Sequence, residues 1–174
     1  FLVIQEIVVG AALLAFLIVR GWRFSDIGFA PLRWTDVVAA GCLVLAGIGA
    51  YWLVWIALAP PGVSDAQSAL DGDGIDLGLM LALSAVNGSF EEIFVCAYLL
   101  SAWRGAPAHA LIAVSALLRL SYHLYQGPLA SLALFPLGLA FAWYFASQRR
   151  VIPLILAHIT IDVLALLPYV VADT

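Results

Sequence analysis

The chain has 174 residues, of which 65% are hydrophobic and only 10% are charged, and its formal net charge is −4. A soluble domain is usually about half apolar and about a quarter charged, so this composition excludes an ordinary soluble domain and indicates a polytopic protein of the lipid bilayer. Nucleic-acid binding is excluded as well, because the sequence contains no basic cluster.

Six apolar runs follow one another along the chain, and each is close to the length of about 20 residues that a transmembrane helix needs. The predicted spans cover roughly residues 1–19, 37–59, 77–101, 107–125, 129–147 and 151–171. Strands are excluded as spanning elements because an open sheet edge leaves backbone groups unpaired in lipid. The sequence therefore predicts an all-α bundle of about six transmembrane helices.

The length allows one compact bundle and no second domain, so we expect residues 1–174 to form a single membrane-embedded domain. The chain begins with Phe1 rather than Met, which is consistent with an N-terminal truncation. All seven basic residues are arginine, which is typical of a GC-rich bacterial genome. We therefore expect a multi-pass protein of a bacterial cytoplasmic membrane.

The charges between the predicted spans indicate how the bundle is oriented. The segments after spans one, three and five carry arginines: Arg20, Arg23, Arg33, Arg104, Arg149 and Arg150. The segment after span two carries only acidic charges: Asp65, Asp71, Asp73 and Asp76. By the positive-inside rule, the arginine-bearing segments are predicted to be cytoplasmic, and both chain ends lie on the opposite side.

Polar residues inside the spans are candidates for a functional site, because ionisable groups are costly in lipid. Residues three or four apart share a helix face. The polar face of span three consists of Ser84, Asn87, Gly88, Glu91 and Glu92. The polar face of span four consists of Ser115, Arg119, Tyr122, His123 and Gln126. Span six contributes His158 and Asp162, and we expect the three faces to meet inside the bundle.

Other polar and reactive residues receive structural interpretations. Glu6 stands alone in the first span and is interpreted as a packing or interfacial residue. Asp36, near the start of the second span, is expected to face water. Cys42 and Cys96 fall inside apolar runs, so we predict free thiols that behave as small hydrophobic residues.

The chemistry of these residues leaves two functions open. A carboxylate and imidazoles around a water molecule can act as a general base and as stabilisers of an oxyanion, which is the chemistry of hydrolysis. His and Glu are also zinc ligands, and carboxylates and histidines relay protons in pumps. The zinc-protease motif HExxH and a recognisable nucleophile turn are both absent. A hydrolase and a proton-coupled carrier are therefore both compatible with the residues alone.

Three blocks of the sequence resemble the CPBP family of intramembrane proteases, also called the CAAX protease and bacteriocin-processing or Abi family. The family pattern is EExxxR, then FxxxH, then HxxxN or HxxxD, on separate helices. This chain has EEIFVC at residues 91–96, RLSYH at 119–123 and HITID at 158–162. The resemblance extends over about residues 20–170, and it includes the segment RFSDIGFAPLRWTDV before the second span.

The resemblance implies an endopeptidase that cleaves a membrane-associated peptide or protein. It implies that Glu91 is the base that activates water, with His123 helping to hold it, and that His158 and Asp162 polarise the scissile carbonyl. Glu92, Arg119 and Asn87 are expected to support these groups. Family members have often been described as metalloendopeptidases, although the glutamate mechanism requires no metal. If zinc binds, the expected ligands are Glu91, His123 and His158.

The sequence departs from the family pattern at two positions. Cys96 replaces the arginine of the first block, and Arg119 replaces the phenylalanine of the second. Because an arginine without a partner is costly in lipid, we predict that Arg119 forms an interhelical ion pair with Glu92. An ionised Asp162 cannot donate a hydrogen bond to an oxyanion, so we expect it to orient His158. The departures keep an inactive binding or immunity scaffold as the alternative to a protease, with a proton-coupled carrier as a third reading. Prenylated substrates are not expected in a bacterium.

Overall fold

The computed structural model describes residues 2–60, 75–103 and 105–170. Within these residues the chain forms six helices in order: α1 Leu2–Val19, α2 Trp34–Leu58, α3 Leu77–Ala102, α4 Ala108–Tyr122, α5 Pro128–Gln148 and α6 Ile152–Leu166. Short 3-10 turns occupy Phe24–Ile27, Leu124–Gln126 and Leu167–Tyr169. The described segments contain no strand beyond one isolated bridge between Ile75 and Val170. The predicted all-α bundle is therefore confirmed. Arg104, Asp65, Asp71 and Asp73 lie outside the described residues.

Four of the described helical segments are long and apolar enough to cross a membrane, where six spans were predicted: Trp34–Leu58, Leu77–Ala102, Pro128–Gln148 and Ile152–Tyr169. The other two helices, α1 and α4, are apolar but shorter. α4 ends at Tyr122 and is followed by the 3-10 turn Leu124–Gln126 and by Gly127, where φ is +98°, a conformation that favours glycine. Its 15 residues rise about 22 Å, which is less than a bilayer core of about 30 Å.

α5 lies at the centre of the bundle, because a row of its side chains at helical spacing is almost completely buried: Ala133, Leu137, Phe141, Ala142 and Phe145. α5 packs against α2 and α4, while α6 packs against α2 and α3. α3 and α6 approach closely at Gly88, where a Cβ atom would lie 3.2 Å from the backbone nitrogen of Ile159. This close approach brings the polar faces of α3 and α6 together.

A π-helical segment, Glu92–Tyr98, interrupts α3 directly after Glu91. A π turn uses hydrogen bonds between residues i and i+5, and such turns frequently occur at functional sites. Both adjacent glutamates are buried here, with 7% of Glu91 and none of Glu92 exposed. The apolar periodicity of the sequence did not predict this segment.

Arginine side chains tie together the helix ends that were predicted to be cytoplasmic. Arg150 donates from Nε to Oδ1 of Asp36 at 2.7 Å and from Nη2 to Oδ2 at 2.6 Å. The hydrogen bonds to Asp36 hold the pKa of the Arg150 guanidinium above its ordinary value. Asp36 also accepts from the backbone nitrogen of Arg33, and Arg149 donates to Ser101 Oγ at 2.6 Å. The expectation that Asp36 faces water is wrong, because only 1% of it is exposed.

Candidate active site

The polar faces of α3, α4 and α6 meet inside the bundle, as predicted. Glu91 and Glu92 come from α3, Arg119 from α4 and His158 from α6, and all four side chains are buried. They form one connected network of hydrogen bonds and ion pairs. The spacing of polar residues therefore identified the helix faces correctly.

Glu92 is the innermost member of this network. Arg119 Nη2 donates to Glu92 Oε1 at 2.5 Å, and Nδ1 of His158 lies 2.7 Å from the same oxygen. The guanidinium also lies over the ring of Phe141, 5.5 Å from its centroid. The predicted interhelical ion pair between Arg119 and Glu92 is confirmed.

The hydrogen bonding of this ion pair is incomplete. Oε2 of Glu92 and Nε of Arg119 are both buried, and neither has a hydrogen-bond partner among the described residues. A buried polar atom without a partner costs about 1–3 kcal/mol, so folded proteins keep few of them. Such atoms next to a cluster of ionisable groups mark this part of the bundle as a candidate functional site.

Glu91 is held from the opposite side. Tyr122 donates its hydroxyl hydrogen to Oε2 of Glu91 at 2.5 Å, and Nη1 of Arg119 lies 3.4 Å from the same oxygen. Nε2 of His158 is 3.9 Å from it. The sequence placed Tyr122 on the polar face of span four but did not single it out as a site residue. Its position next to His123 was the signal that pointed to it.

Asp162 and Asn87 contact the other side of His158. Oδ1 of Asp162 lies 3.5 Å from His158 Nε2, and Asn87 Nδ2 donates to Asp162 Oδ2 at 3.3 Å. Because Nδ1 faces Glu92, both ring nitrogens of His158 face carboxylate oxygens and are placed to donate. Asp162 thus lies beside His158, and its role of orienting the imidazole stays a prediction.

His123 terminates α4 beside this network. Its Nδ1 lies 3.0 Å from the backbone oxygen of Arg119, and its ring centroid lies 4.7 Å from that of Tyr122. A carbonyl oxygen only accepts hydrogen bonds, so Nδ1 carries the hydrogen and Nε2 is left for another partner. His123 also lines the cavity next to Glu91.

A cavity of about 530 Å³ runs along one side of the network. Its polar lining includes Glu6, Asn87, Glu91, Tyr122, His123 and Asp162, and apolar side chains such as Leu83, Phe90 and Leu166 form much of the remaining wall. The volume lies within the range of known ligand sites, about 300–1,000 Å³. Glu6 therefore reaches the candidate site, which differs from its interpretation as a packing or interfacial residue. The sequence feature that could have identified Glu6 as a site residue was its isolation as the one carboxylate in an apolar span.

Three side chains of the network are close enough to hold a metal ion. Glu91, Glu92 and His158 each offer one ligand atom, and these atoms all lie within 4.8 Å of one another. The group contains Glu92 where the sequence-based prediction had His123. The donor types suit zinc, but Arg119 already places its positive charge against both carboxylates. A divalent cation at this point would be repelled by the guanidinium, so the residues fit a carboxylate pair neutralised by arginine better than a metal centre.

The fold and the site together define a polytopic membrane protein with a buried carboxylate–imidazole centre beside a cavity. The family model of type II CAAX prenyl endopeptidase Rce1-like proteins matches residues 74–164, which include every member of the hydrogen-bonded network. The chain belongs to this Rce1-like family, as its resemblance to the CAAX proteases predicted. No curated protein and no solved structure matches the chain.

Proposed function

We propose that this chain is an intramembrane endopeptidase that hydrolyses a peptide bond near the membrane with a water molecule activated by Glu91. The proposal depends on one observation above all, the different environments of the two adjacent glutamates. Glu92 is fully buried in an ion pair with Arg119, whereas Glu91 lines the cavity. A general base must be able to reach the substrate, so Glu91 is the carboxylate that suits this role.

In the proposed reaction, Glu91 takes a proton from water as the oxygen of that water attacks the carbonyl carbon of the peptide. The carbonyl oxygen becomes an oxyanion. The proton then passes from Glu91 to the leaving nitrogen as the carbon–nitrogen bond breaks. Tyr122 and Arg119 both approach Oε2 of Glu91, so we assign the other carboxylate oxygen to the water.

The neighbouring side chains have distinct roles in this proposal. Nε2 of His123 accepts a hydrogen from the water and helps to hold it beside Glu91. Asp162, itself held by Asn87, orients the imidazole of His158 in the free protein. When the substrate binds, the Nε2 hydrogen bond of His158 passes to the scissile carbonyl and polarises it, while Nδ1 stays with Glu92. The Tyr122 hydroxyl donates to Glu91 in the free protein, and in the proposed reaction its one hydrogen bond passes to the developing oxyanion, where a hydrogen-bond donor lowers the barrier.

The environment of the reaction follows from the family and the charge pattern. The family description names prenyl CAAX endopeptidases, and we propose a membrane-associated peptide or protein as the substrate. We also propose a bacterial cytoplasmic membrane, with the arginine-rich helix ends facing the cytoplasm. The contacts of Arg149 and Arg150 support this orientation, because they hold the ends of α2, α3 and α5 together on one side.

The test compares two isosteric variants of neighbouring residues. Membrane fractions containing wild-type protein, Glu91→Gln or Glu92→Gln are compared by mass spectrometry for newly formed peptide termini. We expect Glu91→Gln to abolish these termini while its thermal unfolding in detergent stays near that of the wild type. Glu92→Gln is the matched comparison, because it removes a charge at the next position but takes away the nearer partner of Arg119. It should lower thermal stability, so only Glu91→Gln should lose cleavage while keeping the stability of the wild type.

Several outcomes of this experiment would contradict the proposal. Wild-type amounts of new termini with Glu91→Gln would reject Glu91 as the base. A wild-type protein that cleaves nothing would favour the inactive scaffold, and ion flux in proteoliposomes without cleavage would favour the proton-coupled carrier. Loss of cleavage on treatment with a zinc chelator, restored by added zinc, would reject the reaction without a metal.

A further inference from the structure

Glu6 contributes a carboxylate to the cavity from a helix that the family model does not match. α1 precedes residue 74, where the matched segment begins. It packs on α3 at Gly10, which faces the ring of Phe90, and Glu6 lies one helical turn before this contact. The carboxylate oxygen Oε2 of Glu6 is buried and has no hydrogen-bond partner among the described residues.

The side chains that line the cavity carry more negative than positive charge. Glu6, Glu91 and Asp162 all line it, and its lining within the described residues contains no lysine or arginine. Arg119, which neutralises part of this charge, is hydrogen-bonded to Glu92 and lies 3.4 Å from Glu91. The structure thus gives Glu6 no ion pair among the described residues, and an unpaired carboxylate in an apolar wall favours the binding of an opposite charge.

We propose that Glu6 is a specificity-determining residue that binds an ammonium or guanidinium group of the substrate. The protease then selects peptides with a lysine or arginine at a fixed distance from the scissile bond. This inference rests on the function proposed above, because the same cavity holds the bond to be cleaved.

The rest of the cavity wall fits a long basic side chain. Lysine and arginine carry apolar methylene stems, which pack well along apolar surfaces while the charged head reaches a polar group. Leu83, Phe90 and Leu166 provide such a surface. An acidic substrate residue at the same position would be repelled by Glu6 and Asp162, so the cavity also selects against acidic peptides.

The experiment measures cleavage and binding separately with one peptide library. The peptides are of one length, and in matched sets a single position is lysine, arginine, norleucine or glutamate. Wild-type protein in detergent micelles reports cleavage by mass spectrometry, and the Glu91→Gln variant, used as an affinity matrix, reports binding. We expect peptides with lysine or arginine at one position relative to the scissile bond to be cleaved and bound at least about 10-fold better than their norleucine counterparts.

Substitutions at residue 6 then assign this preference. With Glu6→Gln, lysine and norleucine peptides should be cleaved and bound equally well. With Glu6→Lys, the preference should reverse, so that glutamate peptides are cleaved and bound best. Gln5→Lys is the matched control, since Gln5 is an exposed neighbour on α1 and the change shifts the charge of the helix by the same amount as Glu6→Gln. We expect Gln5→Lys to keep the wild-type preference.

Failure of this inference differs from failure of the proposed function. Cleavage without a basic preference, or a preference that survives Glu6→Gln, would overturn the role of Glu6 and leave the protease intact. If wild-type protein cleaves no peptide, the proposed function fails. The binding ratio, measured with Glu91→Gln with and without Glu6→Gln, still decides whether Glu6 recognises a basic side chain.

Discussion

Two arginine–carboxylate pairs of the described residues, Arg150 with Asp36 and Arg119 with Glu92, differ in how completely they are hydrogen-bonded. Arg150 donates hydrogen bonds to both carboxylate oxygens of Asp36, and Oδ2 accepts a further hydrogen bond from the backbone nitrogen of Arg33. In the other pair, Arg119 and His158 share a single oxygen of Glu92, and the second oxygen has no partner among the described residues. Both pairs have similar shortest nitrogen–oxygen distances, 2.6 Å and 2.5 Å.

The comparison separates a pair that connects helix ends from a pair that serves a site. An ion pair stabilises the fold most when each of its polar atoms has a hydrogen-bond partner, because every buried polar atom without one carries a desolvation cost. The pair of Arg119 and Glu92 has two such atoms, Nε of Arg119 and Oε2 of Glu92, next to Glu91 and His158. We therefore expect its loss to affect both folding and the chemistry of the cavity, whereas loss of the Asp36 pair affects folding alone.

The largest effect is expected for Arg119→Phe. This change leaves Glu92 buried without its cation, and breaking a buried pair typically costs about 3–5 kcal/mol. Thermal unfolding in detergent should show a large loss of stability, and cleavage should be lost as well. An Arg119→Phe protein with wild-type stability would show that the pair contributes little to the fold.

A second substitution makes this prediction specific. Cys96 lies four residues after Glu92 and is fully buried, and an arginine at this position would restore the family pattern within one helix. Adding Cys96→Arg to Arg119→Phe should therefore recover stability and cleavage, because the phenylalanine removes the first cation and the new arginine supplies another to Glu92 from α3. Cys96→Arg alone is the control and should destabilise the protein, since it places a second arginine beside Glu92.

An intermediate effect is expected for Asp36→Asn at the helix ends. Asparagine keeps the shape of Asp36 but weakens its charge-assisted hydrogen bonds to Arg150. We expect the melting temperature to fall by a few degrees, less than for Arg119→Phe, while cleavage per folded molecule stays at the wild-type level. A selective loss of cleavage in Asp36→Asn would remove the distinction between the two pairs.

The smallest effect on stability is expected for Tyr122→Phe. It removes one hydrogen bond to Glu91, worth about 1 kcal/mol, yet the proposed role of the hydroxyl predicts that cleavage falls about 100-fold. Tyr144→Phe removes a hydroxyl from a tyrosine of α5 that does not line the cavity, and it should cleave normally. Equal rates for Tyr122→Phe and Tyr144→Phe would exclude Tyr122 from catalysis.

The sequence predicted those features that depend on spacing along a single helix. Glu92 and Arg119 were paired correctly, because a charge in lipid needs a partner and both residues lie on polar faces that were expected to meet. Asp36 was interpreted wrongly because its partner, Arg150, lies 114 residues away, and no local pattern shows which segment covers a helix end. Glu6 was underestimated for the same reason, since only the packing of α1 on α3 brings it to the cavity.

The π turn at Glu92–Tyr98 gives the two halves of α3 different tolerance to a change of length. Its hydrogen bonds join residues i and i+5 instead of i and i+4, so it holds one residue more than an α-helical turn. Loss of one residue from within this turn, other than Glu92, is therefore absorbed by ordinary helical hydrogen bonding, and Asn87 and Leu100 keep their relative directions. Each residue of a regular α-helix, by contrast, advances the side-chain direction by about 100°. Loss of a single codon between Asn87 and Glu91 would rotate these two side chains by about that angle relative to each other, so they could no longer both face the cavity, and it would be more damaging than the same loss one turn later.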